Sequence, residues 1–312
     1  MASDTSSRVI RIQNCRAMIP SCLPGVLPIT EDRRYGRSMS NLKPCPACRA
    51  LIDSSETLCP YCGASPERRN VREVNLSSTE SPGMVTGWLI GICVLFFVLE
   101  MVATMGAFGG EGLWKALMGV PGPILFEMGA RATPQILAGE WWRLIVPIFL
   151  HGNFLHLLFN SMAMIQAGPL AEQAYGRPRF MILFILSGAI GFALGTYASP
   201  GNISIGASGS LFGLIGAAGL YGHRRGDAMG RMIRSSMIQW GLYALLFGLL
   251  IRADNAAHIG GLASGVALSF LMGDRNGRGD ERLWTLLAWV AVIVTLAAIG
   301  LGVSSYLGSA NR

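Results

Sequence analysis

An all-α polytopic membrane protein, preceded by a small metal-binding module, is the fold class this sequence predicts. Three observations carry that reading. Apolar residues make up 51% of the 312 residues and charged residues only 14%, against about 25% charged in soluble domains. The mean hydropathy is +0.45. Charge is unevenly spread: residues 1–83 hold 19 of the 43 formal charges, and residues 84–312 hold the other 24 over nearly three times the length. This composition excludes a purely soluble enzyme, a disordered chain and a disulfide-stapled secreted module. The net charge of +7 fits the positive cytoplasmic loops of a membrane protein.

Residues 1–38 have no clear periodicity and are assigned no structure. They lack a charged start followed by an apolar run, so no secretory signal is expected. Met39 is an alternative start, in which case Cys15 and Cys22 have no role. Residues 39–63 carry two C-x-x-C knuckles, Cys45-Pro46-Ala47-Cys48 and Cys59-Pro60-Tyr61-Cys62, followed by Gly63. A reducing cytoplasm keeps such thiols reduced. Four thiolates in two knuckles suit tetrahedral Zn²⁺ in a closed, structural site. The residues around them look like a small zinc ribbon, too short for a core of its own, so metal binding is expected to supply its folding energy. The competing reading, a redox dithiol, needs only one knuckle on a larger fold. The module's partner, a cytoplasmic one, is not written in the sequence. Nucleic acid is not expected, because basic and aromatic residues do not interleave. Residues 64–83, with Pro66, Pro82 and Gly83, read as a flexible linker.

Seven apolar segments follow, at roughly 84–105, 152–170, 180–198, 207–222, 236–251, 256–272 and 284–307, each near the length a spanning helix needs. The fourth to sixth are short and rich in Gly, Ala and Ser. The 40 glycines fit close helix packing, because lipid gives helices no hydrophobic drive to associate. The loop arginines set orientation. Arg177 and Arg179, then Arg224, Arg225, Arg231 and Arg234, then Arg275, Arg278 and Arg282 fall on one side, while 199–206 has no positive charge and 252–255 only Arg252. The positive-inside rule places the N-terminus in the cytoplasm and the C-terminus outside, in a multi-pass plasma (inner) membrane protein.

With that parity, the second, fourth and sixth segments all start near the outer face. Polar residues gather there: His151, His156 and Asn160, then Ser208, then Asn255 and His258. Three of the four histidines are in this set. Intramembrane ionisable residues are costly and so are functional candidates; the bland alternative is that each merely bonds a carbonyl. Ser208 lies in Gly206-Ala207-Ser208-Gly209, at a helix start whose free N–H groups can hold an oxyanion, and Gly206 and Gly209 are expected among the residues that hold it. His258 shares a face with Gly261 and Gly265, and Gly209 and Gly213 form a matching ridge. Two smooth faces can bring Ser208 and His258 within hydrogen-bond reach, for nucleophilic chemistry with His258 as base. No Asp or Glu lies deep in these three segments, so a dyad is expected. His156 and Asn160, four residues apart, share a face and can donate to the oxyanion.

These residues resemble the rhomboid family of intramembrane serine proteases over roughly 84–275. The resemblance rests on four strings together: Glu140-Trp141-Trp142-Arg143 in the long first loop; His151, His156 and Asn160; the G-x-S-G around Ser208; and Ala257-His258 with Gly261 and Gly265. It implies a six-helix core, with a seventh helix in 276–312, as occurs in part of the family. It implies Ser208 as nucleophile and His258 as base, with His156, Asn160 and the Ser208 amide as oxyanion hole. Phe212 stands where some members have a Tyr that stacks on the catalytic His; Ala253 replaces a Gly. Transmembrane proteins are the implied substrates, and no catalytic cofactor is implied.

Residues 106–151 are too long for a plain linker. Leu113, Trp114, Leu117 and Met118 suit a short interfacial helix, and Trp141, Trp142 and Arg143 suit an anchor at headgroup level. Two other functions compete. A non-catalytic binder of transmembrane segments would typically lack the Ser or the His, and both are present. A transporter predicts paired internal repeats, and none is seen.

Overall fold

The computed structural model describes residues 42–45, 50–63, 83–275 and 280–310. The expectations for residues 1–38, for Cys48, for Arg278 and for nearly all of the 64–83 linker lie outside those residues. The chain divides into two units, Met1–Ser77 and Ser78–Arg312.

In the first unit, β1 (Leu42–Pro44) pairs antiparallel with β2 (Leu51–Asp53), Leu42 facing Asp53 and Pro44 facing Leu51. The Cys45 N–H donates to the Ala50 carbonyl at 2.8 Å and ties the ends of the connection together. The buried cluster consists of Cys45, Ile52 and Cys59. Among the described residues, one Ile and two thiols bury too little apolar surface to hold a hairpin together.

The second unit is helical, and each of the seven apolar segments forms a helix. These are α1 (Met84–Phe108), α5 (Phe154–Tyr175), α6 (Arg177–Ala198), α7 (Ser208–Arg225), α8 (Ala228–Leu250), α9 (Asn255–Met272) and α10 (Glu281–Ala310). Between α1 and α5 the long loop folds into α2 (Gly112–Met118), α3 (Gly122–Glu127) and α4 (Thr133–Leu137). Among the described residues, α1, α6, α8, α9 and α10 are long and apolar enough to cross a membrane. The protein is a multi-pass membrane protein of the all-α class. Helices α5 and α7, which carry the polar residues of interest, fall outside the five.

The helices run further than the apolar segments suggested. Only Gly176, at φ 77°, separates α5 from α6, and α8 begins at Ala228, so Arg177, Arg179, Arg231 and Arg234 are helical rather than loop residues. Hydropathy marks where apolar surface stops; backbone hydrogen bonding continues past that point. The start of α1 is held from another helix. Glu172 of α5, buried, accepts from the Val85 and Thr86 N–H groups at 3.2 Å each and from Thr86 Oγ1 at 3.1 Å. A carboxylate there satisfies first-turn donors and complements the positive end of the helix.

The centre of the bundle is the α6–α7–α9 triplet, packed through glycines. A side chain on Gly261 would strike the Gly209 carbonyl, and one on Gly265 the Gly213 backbone. The small-residue ridges expected on these helices therefore face each other in register. Gly260 lies against Gly191 of α6 in the same way, a Cβ there sitting 3.1 Å from the Gly191 Cα.

The loop between α1 and α5 is ordered by its own polar groups. Arg143, expected at headgroup level, is instead buried. Its Nε meets Glu140 Oε2 at 2.5 Å, its Nη1 donates to the Phe126 and Ala130 carbonyls at 2.7 and 3.0 Å, and its guanidinium lies over the Phe126 ring. Carbonyls left unpaired by short helical turns need donors, and a five-donor guanidinium supplies several at once. Trp114 and Trp141 remain exposed, as interfacial side chains would.

Candidate active site

The N-terminal ends of α5, α7 and α9 meet, and each contributes to one polar cluster. Ser208 is the first residue of α7. Among the described residues the N–H groups of Ser208 and Gly209 have no hydrogen-bond acceptor, as expected for a first turn. His258 lies one turn into α9, whose start is capped by Asp254 accepting from the Ala257 N–H at 3.1 Å. Its Nε2 is 2.9 Å from Ser208 Oγ. The imidazole is buried and stacks on Phe212 of α7, with centroids 4.5 Å apart and rings 22° from parallel. Its Nδ1 is 2.9 Å from Asn255 Oδ1. A hydroxyl and an imidazole so placed can pass a proton between them.

Residues of α5 close the other side. Asn153 caps that helix by accepting from the His156 N–H at 2.8 Å. The His156 ring and the Asn160 amide both face the backbone just before Ser208. A Cβ on Gly206 would lie 2.7 Å from His156 Nε2 and 3.7 Å from Asn160 Nδ2. At φ 112° Gly206 holds a conformation few other residues adopt, and the ring fills the space a side chain would need. Asn160 Nδ2 also donates to the His156 carbonyl at 3.0 Å.

Gly206 was also expected at the oxyanion hole. Its N–H donates to the Pro147 carbonyl at 2.8 Å, so it is committed to the loop. Gly206 makes room for His156 instead. Gly209 keeps its first-turn amide, and its bare face packs on Gly188 of α6 and on the Ala257 carbonyl.

The Rhomboid domain family model matches residues 138–275, a stretch that contains the whole cluster. The chain is 34% identical over 188 residues to "Rhomboid protease GluP" of Bacillus subtilis, covering 60% of this chain and 37% of that one. It is 38% identical over 143 residues to YdcA of the same organism, covering 45% of this chain and 71% of that one. This chain belongs to the rhomboid family. A fungal relative, "Rhomboid-type serine protease 2" of Emericella nidulans, is 34% identical over 155 residues, which span 48% of this chain and 30% of that one.

This rhomboid also places residues at the cluster that the sequence did not single out. Arg131, in the long loop, is one. It is fully buried; its Nη2 pairs with Asp254 Oδ2 at 3.0 Å and its Nη1 donates to the Gly195 and Ser199 carbonyls at 3.0 and 3.2 Å. Burial pushes its guanidinium below the usual arginine range and the Asp254 carboxylate pulls it back. Glu100 of α1 accepts from the His151 N–H at 2.9 Å, and the His151 ring meets His156 edge-on with centroids 5.1 Å apart. The sequence placed Asn255 at this depth but not as a partner of His258, a contact that its three-residue spacing could have signalled. Arg131–Asp254 and Glu100–His151 join residues 123 and 51 positions apart, and periodicity carries no signal for that.

In the first unit the Sγ atoms of Cys45, Cys59 and Cys62 all lie within 4.8 Å of one another and can hold a metal ion.

Proposed function

We propose that this rhomboid is an intramembrane serine endopeptidase that hydrolyses a peptide bond in or beside a transmembrane segment of another protein. The observation that carries the reading is the 2.9 Å approach of His258 Nε2 to Ser208 Oγ, in a member of a family whose relatives bear protease names. Ser208 Oγ attacks the scissile carbonyl while His258 takes its proton, then returns it to the leaving amine; water repeats the cycle on the acyl-enzyme. His156, Asn160 and the free amides of Ser208 and Gly209 stabilise the oxyanion. No step calls for a cofactor. The matched relatives include proteins of which the chain spans little more than a third, so substrate and partners are assigned only by class: transmembrane proteins, with the bilayer as solvent.

The core spans 84–275, with α10 in 276–312 as an added helix, and residues 39–63 form a separate zinc module. The sulfurs of a tetrahedral zinc–thiolate site, with Zn–S about 2.3 Å, lie about 3.8 Å apart, and Cys45 and Cys62 are 3.7 Å apart. In the sequence, Cys48 is the remaining thiol of the two C-x-x-C knuckles and the candidate fourth ligand. The module faces the cytoplasm with the N-terminus, the C-terminus lies outside, and the membrane is the plasma (inner) membrane.

The test is cleavage of a model transmembrane substrate by the full chain in detergent. Ser208→Ala, His258→Ala and the double variant are expected to lose activity to a similar extent, because residues that act as a unit are non-additive. Substantial cleavage by either single variant would sink the dyad.

A further inference from the structure

The imidazole of His258 can accept a proton from Ser208 only if Nε2 carries the lone pair and Nδ1 the hydrogen. A neutral histidine offers both tautomers, and the partner of the other nitrogen decides between them. Here that partner is Asn255 Oδ1, 2.9 Å from Nδ1. An amide oxygen only accepts, so it favours the Nδ1–H form.

The amide of Asn255 is itself held the right way round. Its Nδ2 donates to the Leu245 carbonyl of α8 at 3.4 Å; rotating the amide by half a turn would lose that bond and turn a donor toward Nδ1. The oxygen sits where α8 has no side chain: a Cβ on Gly248 would lie 2.5 Å from Asn255 Oδ1. Other ionisable groups around the imidazole are engaged elsewhere or across the site. Asp254 is paired with Arg131, and His156 approaches from α5 with no hydrogen bond to His258 among the described residues.

We propose that Asn255 is a positioning residue that fixes the proton-accepting tautomer of His258, oriented for that task by the end of α8. The proposal rests on His258 being the base. During attack the Ser208 proton moves to Nε2, and the resulting imidazolium keeps its Nδ1–H bond to Asn255, so no second proton moves. Helix α8 thereby bears on the base as well as on packing: a displacement at Leu245 or Gly248 frees the amide to turn.

Two measurements on the full chain in detergent test this. The first is the pH profile of kcat and KM for cleavage of a model transmembrane substrate. Asn255→Ala is expected to lower kcat about tenfold, the worth of one hydrogen bond, with KM nearly unchanged. Asn255→Asp is expected to restore kcat and to move the acid limb about one pH unit upward, because a carboxylate favours the imidazolium. Gly248→Ala, which displaces the oxygen and leaves Asn255 intact, is expected to resemble Asn255→Ala. The second is the ¹⁵N spectrum of histidine-labelled protein, which reads the tautomer without any activity. The neutral His258 signal is expected to be the Nδ1–H form in the wild type and a mixture in Asn255→Ala. A wild-type tautomer ratio in Asn255→Ala, or an unmoved acid limb in Asn255→Asp, overturns the proposal. If the wild type cleaves nothing while its spectrum shows the Nδ1–H form and that of Asn255→Ala a mixture, the protease reading fails and the tautomer assignment stands.

Discussion

Two histidines approach the Ser208 end of α7 from different helices, and their surroundings differ. His258 reaches Oγ through Nε2 and is backed at Nδ1. His156 faces the loop before Ser208 and is braced by His151. Loss of a base leaves the nucleophile unactivated, whereas loss of one donor weakens only charge stabilisation, by about 10²–10³ in kcat where its neighbours cannot compensate. A fluorophosphonate probe separates the two. His258→Ala should nearly abolish labelling of Ser208, while His156→Ala and Asn160→Ala should slow it without stopping it. Full block by His156→Ala, in protein shown to be folded, would exchange the two roles. At this scale the sequence was informative where chemistry repeats at helical spacing, as at His156 and Asn160. It was silent on whether a given amide is already spent: the bond from Gly206 to the Pro147 carbonyl joins a loop glycine to a distant turn, and no local pattern encodes it.

Helix contacts set how close Ser208 and His258 come. The α7–α9 crossing is made by Gly209 against Gly261 and Gly213 against Gly265. A bulky group there meets backbone, which cannot rotate away. Gly261→Leu should therefore force the helices apart, with overpacking costs of about 1–3 kcal/mol or more. The expected result is a lower melting temperature in detergent together with lost probe labelling; unchanged labelling would mean that the crossing does not set the Ser–His distance. These ridges were legible because Gly repeats at four-residue intervals on both segments. The ends of the helices were not, because polar residues beside the apolar runs, such as Arg177 and Arg179 before the run of α6, still belong to the helix.

The whole membrane unit is tied together around Arg131, which joins the long loop to the end of α6 and to the cap of α9. Removing one member of a buried pair leaves the other charge uncompensated, at a cost of about 3–5 kcal/mol. Arg131→Met should lower the melting temperature strongly, and pairing it with Asp254→Asn should recover part of the loss. Additive losses in the double variant would show that the pair is not coupled. The front of the chain should behave as a separate piece. Deleting residues 1–75 should remove bound zinc and leave proteolysis of a model substrate largely intact. Loss of proteolysis in a folded membrane unit would make the module part of the enzyme.

The cluster draws on α5, α7 and α9, so its parts are made at different times. A nascent chain that has emerged only through α8 holds Ser208, His156 and Asn160 but has not yet made His258. On the proposed reading, such a chain has no base to activate its serine. On that reading, competence for hydrolysis waits for α9, whose glycine face packs on that of α7 and brings His258 to Ser208.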